Sequence, residues 1–221
     1  MTDRELAAAA AQAAARIALE RHGDAGRVSA KDAPADVVSE VDRAAEAAAV
    51  AVIAAERPHD GYLGEEGASR HADGPPGTKG AEHPGARTWV IDALDGTLNY
   101  LQGLQEWCAA VALEDEHGPL AAAVCDPVRG ELFTAARGGG ATRNGARLRL
   151  GAADAGGPEH LEEAVIATFL HQPKRALPGV AETLQRVLAS AGSVRITGSG
   201  TLELAYVAAS PRLFDALRAL P

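Results

Sequence analysis

The sequence predicts a layered α/β fold, an α+β sandwich in which an antiparallel sheet half precedes a smaller half of alternating strands and helices. Between residues 107 and 136, short apolar runs alternate with turn residues, which is typical of antiparallel strands. From residue 164 onward, strand patterns alternate with helical ones. With 221 residues and 47% hydrophobic content, the chain can bury two joined halves, predicted at 1–145 and 146–221.

Two helices are predicted ahead of the sheet. Thr2 and Glu5 form the capping box of the first, which runs to about residue 21, and Ser39 starts the second, which runs to about residue 56. Residues 67–87 are rich in Gly, Pro and charge, and they predict a long exposed loop. The first half therefore begins with helices that are available to cover one face of the sheet.

The predicted strands follow from apolar runs bounded by turns. In the first half they lie at 107–113, 120–125 and 131–136, and Asn144-Gly145 marks a further hairpin. The second half is predicted as strand 164–168, helix 180–191, strand 194–197, helix 201–209 and strand 212–216. Because aromatic residues make up only 4% of the chain, the core is expected to consist mainly of Ala, Val and Leu.

The charge balance restricts the function. A net charge of −9 argues against nucleic acids and anionic membranes as partners, and a carboxylate cluster that acts on a phosphate would need bound cations. Cys108 and Cys125 lie in apolar runs and are predicted to be buried thiols without a disulfide, which favours a reducing, cytoplasmic location. The first residues resemble neither a signal peptide nor a membrane span.

Residues 89–100 form the most informative segment. A short apolar strand ends at Asp92, and Asp95 follows three residues later in front of a Gly-Thr turn, so two carboxylates lie at the end of a strand. A phosphatase of the haloacid dehalogenase type would need its nucleophilic Asp at position 93, which is Ala93, so an aspartyl-phosphate mechanism lacks its nucleophile. The alternative without function is a pair of surface aspartates that cap a turn.

Two upstream segments add further carboxylates. Glu65 and Glu66 lie in a turn bracketed by glycines, and the alternative interpretation is a solvated turn. Asp42 and Glu46 lie one helical turn apart on the same face of the second predicted helix, where the alternative is a charged helix surface.

Taken together, these segments resemble the inositol monophosphatase family. That family carries, in this order, a Lys…Asp-x-Val-Thr-x-x-Asp-x-x-x-Glu segment, a Gly-Glu-Glu turn and an Asp-Pro-Leu/Ile-Asp-Gly-Thr segment, in which Ala93 here replaces the proline. Residues 197–209 resemble the family's Gly-Ser helix, and the resemblance covers roughly residues 28–217. It implies an inositol-monophosphatase-like fold.

The resemblance also implies a metal site and a reaction. The activity would be Mg²⁺-dependent hydrolysis of a small phosphate monoester by metal-activated water. Glu65, Asp92 and the backbone carbonyl of Leu94 would bind a first Mg²⁺, and Asp92 and Asp95 would bind a second. All-oxygen ligation suits Mg²⁺ better than Zn²⁺.

The remaining roles are likewise implied by the resemblance. Thr97, paired with Asp42, would orient and deprotonate the attacking water, and Lys31 belongs to the same catalytic set. The implied phosphate and substrate contacts come from two turns and consist of Gly96, Thr97, Gly198, Ser199 and Gly200. An inositol monophosphate is the default substrate, with 3′-phosphoadenosine 5′-phosphate, histidinol phosphate or fructose bisphosphate as alternatives. A homodimer is a possible assembly.

One part of the family pattern has no counterpart. The family continues with a Trp-Asp-x-Ala-Ala-Gly segment whose Asp completes the second metal site, and this sequence contains no Trp-Asp dipeptide, so the fold is expected to be C-terminally shortened. Removing one preorganised electrostatic group typically lowers turnover about 10²- to 10³-fold. Two hypotheses follow, namely a Mg²⁺-dependent phosphatase and a non-catalytic family member that keeps the fold and partial metal binding.

Overall fold

The structure is a computed structural model that describes residues 1–24, 26–30, 37–70, 85–149, 158, 160–168 and 178–209. The α-helices in these ranges are α1 (Asp3–Glu20), α2 (Glu40–Glu56), α3 (Thr97–Leu101), α4 (Val180–Ser190) and α5 (Gly200–Ala209). The strands in these ranges are β1 (Val28–Ala30), β2 (Val37–Ser39), β3 (Gly61–Gly64), β4 (Ser69–Arg70), β5 (Thr88–Asp95), β6 (Cys108–Asp115), β7 (Gly118–Asp126), β8 (Glu131–Ala136), β9 (Gly140–Arg143), β10 (Ala146–Arg147), β11 (Val165–Ala167) and β12 (Ser193–Arg195).

The two N-terminal helices begin as the sequence predicts. The Glu5 amide donates to the Thr2 hydroxyl, and the Thr2 amide donates back to the Glu5 carboxylate, so the predicted capping box of α1 is confirmed. Ser39 caps α2 in the same way, with Asp42 as the reciprocal partner. These caps satisfy amides that the first helical turn leaves without a partner.

An eight-stranded sheet forms the centre of the fold, in the order β10-β9-β8-β7-β6-β5-β3-β4. Neighbouring strands are antiparallel except for β3 and β5, which run parallel. The predicted antiparallel strands are therefore confirmed. Asn144, at a φ of 49°, turns the chain between β9 and β10, which confirms the predicted hairpin.

Helices α1 and α2 pack together on one face of this sheet. The core between them is built mostly of small side chains and includes Leu6, Ala7, Ala10, Ala11, Ala14, Ala45, Ala49, Ile53, Ile91, Val111 and Leu113. The predicted Ala-rich core is thus confirmed, although Trp89 and Trp107 are also completely buried. Cys108 and Cys125 are buried free thiols, as predicted.

The later segments form a small α/β unit beside the sheet. Strands β11 and β12 pair in parallel, and α4 lies between them in sequence, which agrees with the predicted alternation. Helix α5 lies on the sheet face opposite α1, where the Tyr206 ring meets Phe133 edge to face and the Tyr206 hydroxyl donates to Asp126. The proposed division at residue 145 stays a prediction.

Two predicted elements are only partly covered by the structure. Within the predicted loop 67–87, the loop prediction is wrong at Ser69–Arg70, which pair with Leu63 and Tyr62 as β4, while residues 71–84 lie outside the described part. The predicted strand 212–216 also lies outside the described residues. Of the helices in the described ranges, none combines the length and the hydropathy needed to cross a membrane.

Candidate functional site

The end of β5 carries the two carboxylates of the central segment on one side of the sheet. Asp92 pairs with Ala110 and Asp95 pairs with Cys108, so three steps along β5 match two steps along β6. Side chains three residues apart point to opposite faces of a regular strand, and the extra residue of this β-bulge brings them back to the same side. The bulge therefore aims Asp92 and Asp95 into one cleft.

The turn after β5 depends on Gly96. Its φ is +94°, and a Cβ at this position would lie 2.7 Å from the backbone oxygen of Glu106, so a larger residue would not fit. The turn starts α3 and brings the Thr97 hydroxyl within 2.8 Å of Asp42 Oδ1 and 3.0 Å of the Leu94 carbonyl oxygen. A hydroxyl has one proton, so it donates fully to only one of these acceptors at a time.

Asp42 lies in the first turn of α2 and is 2% exposed. Its other oxygen, Oδ2, accepts hydrogen bonds from both the amide (2.8 Å) and the hydroxyl of Ser39. The carboxylate is thus fixed by the helix cap while Oδ1 faces Thr97. A buried carboxylate that is held in this way can receive the proton of a hydroxyl group without losing its position.

Glu65 reaches Asp92 because of the parallel pairing of β3 with β5. Gly64 pairs with Ile91, and the Glu65 amide donates to the Ile91 carbonyl at 3.1 Å, which places Glu65 beside Asp92 at the carboxyl ends of both strands. Burial, the charges of Glu65 and Asp95, and a hydrogen bond with the Glu65 side chain raise the pKa of Asp92 to about 8. Ionisation of Asp92 is therefore disfavoured in the absence of a cation.

Asp95 is held from the second half of the chain. Its Oδ2 accepts hydrogen bonds from the Ser199 hydroxyl at 2.8 Å and from the Thr201 amide at 2.7 Å, both at the start of α5. The Cys108 thiol lies behind this carboxylate, 3.9 Å from Oδ2, and burial raises its pKa well above the usual value. These contacts occupy Oδ2 and fix the orientation of the Asp95 side chain.

A second link between the halves comes from Asn99 on α3. Its side-chain amide donates to the backbone oxygens of Glu106 and Thr197, both at 2.7 Å. A Cβ at Gly198 would lie 3.0 Å from the Asn99 amide nitrogen, so the loop in front of α5 approaches α3 closely. The segment 197–201 is therefore fixed against the central turn at two independent points.

The carboxylates open into a cavity of about 600 Å³ between the sheet and α5. Its polar wall contains Asp92, Asp95, Thr201 and Glu203, and the remaining wall is formed by Val165, Ala167, Gly200, Leu204 and Val207. Glu203 is 7% exposed, and its Oε1 accepts hydrogen bonds from the Thr197 amide and hydroxyl. A small polar molecule would fit this cavity, with one end against the carboxylates.

The structure brings most of the predicted site residues together. Asp42, Glu65, Asp92, Leu94, Asp95, Gly96 and Thr97 surround the end of β5, whereas Lys31 lies outside the described residues. Asp95 is buried and Asp92 is partly buried, so they do not form the surface cap of the alternative interpretation.

The turn at residues 198–200 was predicted to line the substrate pocket, and only part of it does so. Gly200 lines the cavity, but Ser199 is completely buried behind Asp95, and Gly198 packs against the Asn99 amide. Thr201 and Glu203 also line the cavity and were not part of the predicted set. The signal for both was the segment 197–209, in which two polar residues follow the Gly-Ser turn at the start of a helix.

The donor set fits a hard divalent cation. Carboxylates and a backbone carbonyl are the ligands that Mg²⁺ and Ca²⁺ prefer, and a bound cation would offset the repulsion by Glu65 and Asp95 that contributes to the raised pKa of Asp92. In the described part of the chain, no three His, Cys, Asp or Glu side chains already stand in ligand geometry.

The chain is similar in sequence to known proteins. The sequence model described as the inositol monophosphatase family matches residues 2–212. The chain is 41% identical over 177 residues to the inositol-1-monophosphatase of Rhizobium meliloti, and 37% identical over 185 residues to Nus factor SuhB of Pseudomonas aeruginosa. The two alignments cover 80% and 82% of this chain but only 61% and 63% of the relatives' length.

A solved structure shows the same fold. The extragenic suppressor protein suhB of Bartonella henselae matches with a TM-score of 0.76 and 34% identity, over 93% of this chain and 73% of that one. The predicted α/β fold of inositol monophosphatase type is thereby confirmed.

Proposed function

Because this chain belongs to the inositol monophosphatase family, we propose that it is a Mg²⁺-dependent phosphatase that hydrolyses the phosphate monoester of a small molecule. The observation that carries the proposal is the arrangement at the end of β5. A hydroxyl donor–carboxylate pair, Thr97 and Asp42, stands next to the carboxyl groups of Asp92 and Glu65. Neither packing nor capping explains why the Asp92 carboxyl group, whose pKa is raised by burial and by the charges of Glu65 and Asp95, lines the same cavity as Asp95.

The cation sites follow from the donors present. Glu65, Asp92 and the Leu94 carbonyl would hold one Mg²⁺, and Asp92 with Asp95 would hold another. Bound Mg²⁺ would acidify water and neutralise the charge of the phosphate oxygens. A cation held at the Leu94 carbonyl would compete with the Thr97 hydroxyl for this oxygen and would favour donation of the Thr97 proton to Asp42.

That change defines the role of Thr97 and Asp42. With its proton directed to Asp42, the Thr97 oxygen presents its lone pairs to a water molecule and can accept a proton from it, while Asp42 accepts the proton of Thr97. The Gly96 and Thr97 amides at the start of α3 would donate to the phosphate. The water would then attack phosphorus in line while the bond between phosphorus and the alcohol oxygen breaks; the alcohol takes up a proton from solvent as it leaves, and no protein nucleophile takes part.

The substrate class follows from the shape and lining of the cavity. About 600 Å³ is enough for a sugar-sized alcohol, and Gly200, Thr201 and Glu203 offer polar contacts in an otherwise apolar wall. An inositol monophosphate is the proposed substrate, and 3′-phosphoadenosine 5′-phosphate, histidinol phosphate and fructose bisphosphate are the alternatives. A cytoplasmic location and a homodimer stay predictions.

The test is phosphate release from these four substrate types by the full chain, with Mg²⁺ and with EDTA, alongside Asp92→Asn. Release that requires Mg²⁺ and is lost in Asp92→Asn would establish the phosphatase and name the substrate. If a folded sample releases phosphate from none of them, the catalytic proposal is wrong.

A second candidate is a non-catalytic family member that retains the fold and partial metal binding. It is favoured by the relatives named Nus factor SuhB, among them those of Pseudomonas aeruginosa at 37% identity and Escherichia coli at 34%. Mg²⁺ binding measured by calorimetry, without phosphate release from any substrate, would support this candidate over the first.

A further inference from the structure

Glu46 lies beneath the turn that carries Glu65 and is 3% exposed. Its Oε2 accepts a hydrogen bond from the Glu66 amide at 2.7 Å, and its Oε1 accepts one from the Ala68 amide at 2.9 Å. We propose that Glu46 is a positioning residue, which holds the Glu65 turn in the geometry that a cation requires. The inference rests on the proposed function and adds to it a residue that acts through Glu65.

The turn is also held by hydrogen bonds of its backbone, among them the one from the Glu65 amide to the Ile91 carbonyl at 3.1 Å. The Gly64 amide donates to the Ala68 carbonyl at 2.7 Å, but the Gly67 amide reaches the Gly64 carbonyl only at 3.4 Å, and the following strand β4 is two residues long. Glu65 itself is exposed. The two bonds to Glu46 add restraints on the part of the turn that follows Glu65, at the Glu66 amide and at the Ala68 amide.

The close fit of Gly64 supports the same role. A Cβ added at Gly64 would overlap the carboxyl group of Glu46, so a larger residue at this position would displace that group. The residue in front of Glu65 thus rests directly on the Glu46 carboxyl group. A shift of that group would move the backbone from which the Glu65 side chain projects.

Helix α2 supplies a rigid reference for this contact. Asp42 and Glu46 lie four residues apart and on one face, so the same helix fixes the acceptor of Thr97 and the support of Glu65. The neighbouring face of α2 is anchored in the core by Ala45, Ala49 and Ile53, each completely buried. The proton acceptor Asp42 and the carboxyl group that supports the Glu65 turn are therefore held by a single helix.

A purely stabilising role for Glu46 makes a different prediction. In that case its removal would lower the stability of the fold and leave the Mg²⁺ affinity of the folded chain unchanged. A positioning role requires a loss of affinity beyond any loss of stability. If only the negative charge of Glu46 mattered, Glu46→Asp would keep the Mg²⁺ affinity. The Asp carboxylate keeps the charge, but its side chain is one methylene too short to reach both amides.

The experiment measures Mg²⁺ binding to the full chain by titration calorimetry and its stability by urea unfolding, for the unaltered protein, Glu46→Gln, Glu46→Asp, Gly64→Ala and Ile53→Val. Changes to residues that orient metal ligands weaken metal binding about 10- to 100-fold, and we expect this loss in both Glu46 variants and in Gly64→Ala. Ile53→Val, which removes one buried methyl group from the same helix, should lose stability but keep its Mg²⁺ affinity.

The outcomes separate the possibilities. Unchanged Mg²⁺ affinity in Glu46→Gln would overturn the inference. A loss of Mg²⁺ affinity in Glu46→Gln together with full affinity in Glu46→Asp would also overturn it, because the effect would then be due to charge. If Glu46→Gln does not fold, Glu46→Asp and Gly64→Ala decide between the same alternatives. Absence of Mg²⁺ binding by the unaltered chain would overturn the proposed metal dependence, and this inference with it.

Discussion

Replacement of Thr97 by Val tests the proposed reaction most directly, because Val has the same shape and lacks the hydroxyl. In the structure this hydroxyl is the donor to Asp42 Oδ1, at 2.8 Å. Asp42 is 2% exposed, so Thr97→Val leaves a buried oxygen without that donor. Such a loss destabilises a protein by about 1–3 kcal/mol.

The expected effect on catalysis is larger than the effect on stability. Loss of a group that transfers a proton in the transition state lowers turnover about 10²- to 10⁴-fold. Domains of this kind are stable by about 5–15 kcal/mol, so a loss of 1–3 kcal/mol leaves Thr97→Val folded under assay conditions. The decrease in kcat would therefore arise from the missing hydroxyl and not from unfolded protein.

The assay compares kcat, KM and urea unfolding for the unaltered chain, Thr97→Val and Thr97→Ser at saturating Mg²⁺. Thr97→Ser keeps the hydroxyl and should retain most of the activity, while Thr97→Val should lose kcat with little change in KM. The reasoning is refuted if Thr97→Val retains more than about a tenth of the parental kcat, since a proton-transfer group contributes at least about 10²-fold.

The remaining predictions concern metal binding, stability and thiol reactivity. The pKa of Asp92 is raised to about 8, mainly by burial, so Mg²⁺ has to displace a proton from this group when it binds. The affinity of the chain for Mg²⁺ should therefore rise with pH up to about 8 and then level off. Calorimetry in two buffers with different ionisation enthalpies measures the proton release. Tyr206→Phe removes the 2.7 Å hydrogen bond to the fully buried Asp126 and should lower the free energy of unfolding by about 1.5–3 kcal/mol, whereas an unchanged urea midpoint would contradict this. Burial raises the pKa of Cys125 to about 11 and that of Cys108 well above its usual value, so a thiol reagent at pH 8 should label neither until the protein is unfolded in urea.

Features encoded within a few residues could be predicted from the sequence. The capping box of Thr2 and Glu5 and the hairpin at Asn144-Gly145 each depend on a local pattern, and both are present in the structure. The two carboxylates at the end of β5 belong to this class, because a strand followed by a Gly-Thr turn fixes where they lie.

Contacts between distant parts of the chain could not be predicted in the same way. Glu65 meets Asp92 only because β3 pairs in parallel with β5, and a shift of one residue in that register would move Glu65 away. Ser199 was predicted to line the substrate pocket, yet its hydroxyl is buried against Asp95, 104 positions earlier in the chain. The bulge that aims Asp92 and Asp95 to one side likewise arises from pairing with β6, which no local pattern specifies.

The walls of the cavity have separate origins in the chain, and this separation has an evolutionary consequence. The carboxylates come from β5, whereas Val165, Ala167, Leu204 and Val207 come from the later segments and touch neither of the acids through any hydrogen bond. Changes at these four apolar positions can therefore alter the shape offered to an alcohol without disturbing the reacting groups. A chain with this architecture could therefore acquire a new substrate through substitutions at these four positions alone, while the groups that act on the phosphate keep their sequence.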